Sequence, residues 1–334
     1  MVSAQRLTGV GRLLETLEGP IRYELLKWAL ESGVFDLCQN PATPERLSER
    51  MNLPADTLAL ALRALVAAGF MEADGTAFRT AADILPFVAS GSARNMAETL
   101  HSMAGTRHAG LNQFADLVAG KASVAGKRLF DDAHWDASHR SLAAFHRAIA
   151  ADTMEPCLTG LPEWPHARTL LEVGPGSAVL ARRLTALRPD LEITLFDLPP
   201  VASRIAHEAY DLPLTVVPGT YNDSLPAGPF DIIWCSMSLY FHDKGLAALM
   251  ARLADRLAPG GVLVSFHEAL TLDRTGQPEH VLGRLLPALR QGDVSFTEGE
   301  IATAMAAAGL GGATHESLSP PFGRFRLDAA RKEA

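Results

Sequence analysis

The order of hydrophobic and polar positions divides the chain into two parts. Up to about residue 160, apolar residues recur three or four positions apart, as in IRYELLKWALESGVFDLC (21–38), which is typical of amphipathic helices. From about residue 169, short apolar runs alternate with segments of helical spacing. This order predicts a helical first part and then a parallel sheet with helices on both faces, a Rossmann-like doubly wound α/β domain.

The first hundred residues have the order of a winged-helix domain. Helical patterns are followed by MEADGTAFRTA (71–81), in which an Asp-Gly turn between two short strand-like pieces predicts a hairpin. We therefore predict a winged-helix-like dimerisation domain over 1–100, a helical linker and acceptor-pocket segment over 101–160, and a ligand-binding catalytic domain over 161–334.

The helix that would read DNA in a winged-helix protein is apolar here. Residues 55–68 carry Arg63 as their only cation, among several leucines, so they cannot supply a set of phosphate or base contacts. This surface instead predicts packing against a second subunit in a homodimer.

Five apolar runs in the second part predict the strands of the sheet. They are TLLEV (169–173), EITLFD (192–197), PLTVVPG (213–219), FDIIWCSM (230–237) and GVLVSFHE (261–268).

The first of these runs continues into a glycine turn, LLEVGPGSAV (170–179). In such a sheet the first strand-to-helix turn needs small residues so that the backbone can approach a ligand, and Gly174 and Gly176 meet that need. Asp197 ends the next strand, where a carboxylate can accept hydrogen bonds from ribose hydroxyls. Glu172 would repel a pyrophosphate, so the turn suits an adenosine that carries a cationic amino acid.

Composition and charge narrow the partners. The 334 residues are 48% hydrophobic and carry a net charge of −8, which argues against binding to a nucleic-acid backbone. The three cysteines show no metal-ligand or disulfide spacing, and no apolar run reaches the roughly 18 residues of a membrane span. We expect a cytoplasmic protein without nucleic-acid or membrane partners.

Taken together, these motifs resemble those of the S-adenosylmethionine-dependent methyltransferases of the plant-type O-methyltransferase group. LLEVGPGS occupies the place of the family's DVGGGxG, and LFDLPPV (195–201) is close to its FDLPxV. VVPGTYNDSLP (216–226) is similar to its VxGDMFxxxP and FTEGEIATAMAAAGL (296–310) to its RTxxEFxxLxxxAGF. The resemblance covers nearly the whole chain and implies S-adenosylmethionine as cofactor, a homodimer and a small-molecule acceptor in bacterial secondary metabolism.

The resemblance also assigns roles to residues. The implied cofactor-binding residues are Glu172, Gly174, Gly176, Asp197, Leu198, Thr220, Tyr221, Ser236 and Thr153. Thr220 stands where the family usually has an Asp. Phe145 and Ile149, in a segment similar to the family's FNxAMxxxS helix, would border the acceptor. Phe130, in the mixed polar and aromatic stretch 126–136, is a further pocket candidate.

The catalytic residues stay open at this stage. O-methylating members use a His in an LHDW element to remove the acceptor's proton, and a later acid orients that His. Here the sequence is SLYFHDKG (238–245). Without a gap the family's His position falls on Tyr240, whereas a two-residue shift places His242 there. For the orienting acid, His267 lies at the gapless place and Glu268 beside it.

Other reactions fit the same fold, because in-line methyl transfer depends mainly on holding the reactants in position. Without a strong base, the chain could methylate a sulfur, nitrogen or carbon, or cyclise S-adenosylmethionine itself to an azetidine carboxylate with release of methylthioadenosine. A metal-assisted reaction would need a His in LLPALRQGDVSF (285–296), which has none, so we expect no metal. A winged-helix regulator is the alternative outside enzymes, and it would need a basic wing that the sequence lacks.

Overall fold

The computed structural model describes residues 9–121 and 132–334. The chain divides into two compact units between Ala97 and Glu98. Phe130, one of the predicted pocket residues, lies outside the described residues.

The first unit is helical apart from one hairpin. Its elements are α1 (Gly9–Ser32), α2 (Val34–Leu37), α3 (Pro44–Met51), α4 (Ala55–Ala67), β1 (Met71–Asp74), β2 (Ala77–Thr80) and α5 (Leu85–Val88). β1 and β2 pair antiparallel around Gly75, which has a φ of 61°, so the predicted hairpin is confirmed. The core of this unit includes Phe35, Leu47 and Leu62, each at most 1% exposed.

The second unit places helices on both faces of one large sheet. Its helices are α6 (Ala97–Arg107), α7 (Phe114–Val118), α8 (Asp132–Phe145), α9 (Ala151–Thr159), α10 (Val179–Leu187), α11 (Pro199–Glu208), α12 (Leu246–Asp255), α13 (Pro278–Gln291) and α14 (Glu300–Ala307). Its strands are β3 (Thr169–Val173), β4 (Glu192–Asp197), β5 (Leu214–Pro218), β6 (Phe230–Ser236), β7 (Leu257–Leu270), β8 (Phe296–Thr297), β9 (Gly311–Leu318) and β10 (Phe325–Arg331).

The sheet has the order β5-β4-β3-β6-β7-β10-β9, with β8 paired to the end of β7. The strands from β5 to β7 are parallel, as predicted, but β10 pairs antiparallel with both β7 and β9. The predicted parallel sheet is therefore a mixed one. The run GGATHESL of β9 gave no strand signal because it is almost fully exposed and has no alternating apolar residues.

Strand order reverses beside β3, since β4 and β5 lie on one side of it and β6 and β7 on the other. In a doubly wound sheet, ligands bind at the carboxyl ends of the strands at this reversal. Apolar clusters fill both faces of the sheet, one around Trp234 and Phe266 and the other around Leu263 and Met250.

Candidate functional site

The glycine turn after β3 lies directly against the end of β6. Gly174 has a φ of 69°, and a Cβ on it would stand 2.6 Å from the Cβ of Ser238. Gly176 has a φ of 65°, and a Cβ there would approach Leu142 Cδ1 to 3.1 Å. Both positions therefore need glycine for backbone conformation and for close packing.

Asp197 holds the turn from the neighbouring strand. Its Oδ2 accepts a hydrogen bond from the Gly176 amide at 2.8 Å, and its Oδ1 accepts one from the Leu198 amide at 2.7 Å. Burial raises the pKa of Asp197 to about 6, against the opposing effect of these two amides. Each carboxylate oxygen keeps a second lone pair that can accept a hydrogen bond from a ligand hydroxyl.

Glu172 is a buried carboxyl inside β3. It is 2% exposed, and its Oε2 has no hydrogen-bond partner among the described residues. Burial, together with the charge of Asp197, raises the pKa of Glu172 to about 8. A buried oxygen without a partner costs free energy unless a ligand supplies one. The most suitable ligand group is a cation, because it compensates the carboxylate charge.

Two histidines of the helical segment support the turn from below. His139 Nδ1 lies 3.1 Å from the Gly176 carbonyl oxygen, and its Nε2 lies 2.8 Å from Glu208 of α11. His146 Nδ1 lies 2.7 Å from Ser177 Oγ, in a π-helical turn (His146–Ala150) between α8 and α9. π-Turns within helices occur frequently at functional sites.

A strained turn follows β6. Met237 has a φ of 50°, a conformation that costs a residue with a side chain about 1–2 kcal/mol. The next two amides, of Ser238 and Leu239, both donate to His267 Nε2, at 3.0 and 3.1 Å. Nε2 is therefore the unprotonated nitrogen, and Nδ1 donates to Ser265 Oγ at 2.8 Å. Burial lowers the pKa of His267 to about 3, so it stays neutral and stabilises this turn.

Tyr240, Glu268 and Arg284 form one connected group. The Tyr240 hydroxyl donates to Glu268 Oε2, and the Arg284 guanidinium forms an ion pair with the other oxygen of that carboxylate. The guanidinium carbon lies 4.4 Å from the centre of the Tyr240 ring. Burial raises the pKa of Tyr240 to about 12, so its hydroxyl is a donor at neutral pH.

This group lies in the wall of a cavity of about 330 Å³ within the second unit. Aromatic and methionine side chains make up much of the remaining wall: Met103, Trp135, Phe145, Met237, Phe241, Phe322 and Phe325. Leu142 lines the cavity and also contacts Gly176. The cavity therefore adjoins the glycine turn.

The structure brings the sequence-predicted cofactor residues to the carboxyl ends of four adjacent strands. Thr220 and Tyr221 follow β5, Asp197 and Leu198 end β4, and Ser236 ends β6. The Tyr221 hydroxyl donates to the Ser238 carbonyl at 3.0 Å, and the Thr220 hydroxyl accepts from the Asn222 amide at 3.2 Å. Thr153 is half-buried on α9, next to Met154, whose sulfur accepts a hydrogen bond from Ser236 Oγ.

The predicted pocket and catalytic residues divide into two sets. Phe145, Tyr240 and Glu268 line the cavity. Ile149 is buried in the π-helical turn, and His242 follows the short helical turn Leu239–Phe241; neither lines the cavity. The Nδ1 atom of His242 is buried and has no hydrogen-bond partner in the part of the chain that the structure describes. Within residues 9–121 and 132–334, no group of three His, Cys, Asp or Glu side chains could hold a metal ion.

Comparison with known proteins assigns this arrangement to a family. A family model described as "Methyltransferase domain" matches residues 135–313, more than half of the chain. The chain belongs to this methyltransferase family. That finding confirms the methyltransferase resemblance that the motifs indicated.

Individual relatives of the methyltransferase have low sequence identity to it. Demethylspheroidene O-methyltransferase of Rhodobacter capsulatus is 27% identical over 267 residues, which cover 75% of this chain and 64% of that protein, just under two thirds of its length. The N,N-dimethyltransferase OxyT of Streptomyces rimosus is 27% identical over 284 residues, 81% of this chain and 82% of that protein. The structure of human N-acetylserotonin methyltransferase in complex with SAM matches with a TM-score of 0.79 at 20% identity, covering 100% of both chains. This last match shows the shared fold.

Sequence reasoning missed several residues of the methyltransferase site. Arg284 was not singled out, because one arginine in an amphipathic helix has no signal that distinguishes it from a surface cation. His139 and His146 lie seven residues apart and so on one face of the helical segment. That spacing was a usable sign that both contact the same neighbouring element.

Proposed function

We propose that the chain is an S-adenosylmethionine-dependent methyltransferase that methylates a hydroxyl group of a small molecule in bacterial secondary metabolism. The observation that carries the proposal is the contact between the glycine turn and the cavity through Leu142 and Gly176. A donor held at the turn and an acceptor held in the cavity are then neighbours, and methyl transfer depends mainly on such positioning.

The residues at the turn fit S-adenosylmethionine. The unpartnered oxygen of Glu172 suits a cationic amino-acid group, and Asp197 has lone pairs for the ribose hydroxyls. The close packing of Gly174 on Ser238 lets the backbone approach a ligand. When bound, S-adenosylmethionine supplies a methyl group on a positively charged sulfur.

For the proton of the acceptor hydroxyl, the cavity offers Glu268. Tyr240 is protonated at neutral pH and donates to this carboxylate, so Tyr240 is not the base. We infer that Glu268 accepts the proton, while Tyr240 and Arg284 position its carboxylate. The similarity to OxyT favours N-methylation as the second candidate, since an amine nucleophile needs a weaker base.

The deciding experiment incubates the protein with S-adenosylmethionine, first alone and then with matched panels of small hydroxyl and amine acceptors. We expect S-adenosylhomocysteine to form only when a hydroxyl acceptor is present. Methylthioadenosine released without an acceptor would indicate cyclisation of the cofactor and contradict the proposal. Turnover restricted to amines would replace O- by N-methylation.

Three variants test the assignment of the base. We expect Glu268→Gln to lower kcat by roughly a hundredfold, because general-base catalysis contributes on that order, and Tyr240→Phe to lower it less. His242→Ala serves as the comparison, and we expect it to change kcat by no more than about twofold. If His242→Ala lowered kcat more than Glu268→Gln did, His242 would be the base that accepts the proton.

We further propose that the first unit forms a homodimer. One face of α1 carries an apolar stripe that a second copy would cover. Its residues, which are 59–71% exposed, are Val10, Leu13, Leu14, Leu17 and Ile21. Light scattering should give twice the chain mass for the wild type and a monomer for Leu13→Glu/Leu17→Glu. A monomeric wild type would refute this proposal.

The remaining assignments are proposals of the same kind. Residues 1–100 would form the dimerisation domain, 101–160 would contribute to the acceptor pocket, and 161–334 would bind the cofactor. The three cysteines are free, which suits the cytoplasm. Across the part of the chain that is described, no helix has both the length and the apolar character to cross a membrane.

A further inference from the structure

Two arginines line the acceptor cavity, and only one of them has its charge compensated within the described part of the chain. Arg284 is neutralised by its ion pair with Glu268. Arg107, the last residue of α6, forms no ion pair or hydrogen bond with any residue in 9–121 or 132–334. Partial burial lowers the pKa of Arg107.

The guanidinium of Arg107 is held in place by packing. A Cβ on Gly283 of α13 would lie 3.2 Å from its Cζ, Nε and Nη2 atoms alike. These equal distances place the guanidinium plane flat over Gly283. Arg107 is exposed and lines the cavity, so it lies at the open edge, with its N–H donors available to an entering ligand.

The acidic residues of the cavity wall have other partners. Besides Glu268, the wall contains Asp293, which pairs with Arg274 at 2.6 Å, and Glu279, whose Oε1 accepts from the Arg324 amide at 3.4 Å. Aromatic side chains make up much of the rest of the wall, with Trp135, Phe145 and Phe241 among them.

We propose that the acceptor is an aromatic hydroxy acid whose carboxylate is bound by Arg107. This inference rests on the proposed methyltransferase function and names its substrate class. Arginine binds a carboxylate through two parallel N–H···O bonds, and the aromatic wall accommodates a flat ring between that anchor and the methyl donor.

The test uses pairs of acceptors that differ only in the anionic group, such as hydroxybenzoates with the corresponding hydroxybenzamides and larger bicyclic pairs. With the wild type we expect the acid of a pair to have at least a tenfold higher kcat/KM than the amide. Arg107→Gln should raise KM for the acid at least tenfold with little change in kcat, and should leave the amide within about twofold. Arg107→Lys should recover part of the preference.

Two further variants separate this role from a structural one. Gly283→Ala places a methyl group where the Arg107 guanidinium packs, without a backbone penalty because Gly283 is helical. It should therefore raise KM for the acid and leave the thermal midpoint unchanged or higher. Arg140→Gln removes an arginine that is 82% exposed and does not line the cavity. It should leave kcat/KM unchanged for both the acid and the amide.

The proposal is overturned if amides are methylated as well as acids, or if no acid is methylated. It is also overturned if Arg107→Gln lowers kcat/KM equally for the acid and the amide. Failure of the proposed function looks different. In that case S-adenosylmethionine does not bind in calorimetry, or no acceptor of any charge yields S-adenosylhomocysteine.

Discussion

At the residue scale, Gly174 combines two constraints in one position. Its backbone has a φ of 69°, and its Cα packs against Ser238. The first constraint can be met with strain by other residues, whereas the second leaves no room for a Cβ.

We predict that Gly174→Ala lowers the free energy of unfolding by about 2–4 kcal/mol, from left-handed strain and overpacking together, and abolishes cofactor binding. Urea unfolding and calorimetry measure the two effects. Gly33→Ala is the matched control, because Gly33 has a φ of 71° in the left-handed region but open space around it, and it should show the strain alone. Equal losses in both variants would remove the contact with Ser238 from the explanation.

Glu172, the residue proposed to bind the cationic group of the cofactor, carries a free-energy cost in the free protein. With its pKa raised to about 8, its carboxyl is mostly neutral at pH 7, and a cationic ligand must ionise it.

We therefore predict that affinity for S-adenosylmethionine increases between pH 6.5 and 7.5 by up to about tenfold, as the ionised fraction of Glu172 grows. Glu172→Gln should bind more weakly and show a flat profile over that range, while keeping its stability because the wild-type carboxyl is already neutral. Calorimetry at several pH values provides the comparison. A sloping profile in the variant would place the titration on another group.

At the element scale, the starts of β3 and β6 are joined by one carboxylate. Asp231 Oδ2 accepts from the Arg168 amide at 2.7 Å, the Thr169 amide at 3.0 Å and the Thr169 hydroxyl at 3.1 Å. This contact sets the register of the two strands whose opposite ends form the site.

We predict that Asp231→Ala lowers the free energy of unfolding by about 2–3 kcal/mol, since hydrogen bonds to a charged acceptor are lost and two amides lose their partner. Asp190→Ala removes a 68% exposed carboxylate paired with Arg188 and should cost less than about 1 kcal/mol. Denaturant unfolding of both variants measures the difference. Similar losses in the two variants would mean that the hydrogen bonds to Asp231 stabilise the protein no more than a surface ion pair does.

The strands differ in how far the sequence predicted them. Two runs, 169–173 and 192–197, match β3 and β4 residue for residue, because central parallel strands are continuous apolar runs bounded by turns. β9 was missed, since an exposed edge strand has no such pattern. The position of His267 under the turn at Ser238 could not be predicted either, because it depends on β7 lying beside β6.

At the scale of the whole molecule, buried titratable groups of opposite effect balance one another. Burial lowers the pKa of His146 to about 4 and of His267 to about 3, so the unfolded chain binds more protons and stability falls as the pH drops below about 6.5. Glu172 and Asp197 have raised pKa values, so the folded chain binds more protons at these two groups. Their contribution to stability therefore increases as the pH falls toward 4.5. Between about pH 6 and 4.5 the two effects therefore act in opposite directions.

We predict that His267→Gln uncovers one side of this balance. The variant should be destabilised at pH 7, because the two amides at Ser238 and Leu239 lose their best acceptor. The difference from wild type should shrink by about 1.4 kcal/mol for each pH unit between 6 and 4. Urea unfolding at pH 7, 6, 5 and 4 measures it. A difference that stays constant with pH would show that His267 is already protonated in the folded protein.

The sequence by itself determined the family, the strands from β3 to β7 and the residues proposed at the glycine turn, because each depends on local patterns: apolar runs, glycines after a strand and an acid at the end of the next. The tertiary structure decided what those patterns cannot contain. It placed Tyr240, rather than His242, in the cavity wall with Glu268 and Arg284, residues 28 and 44 positions further along the chain. It also placed Arg107 beside Gly283, with no ion pair or hydrogen bond to any residue that the structure describes. Such contacts join separate elements, and they arise only when helix and sheet faces pack together.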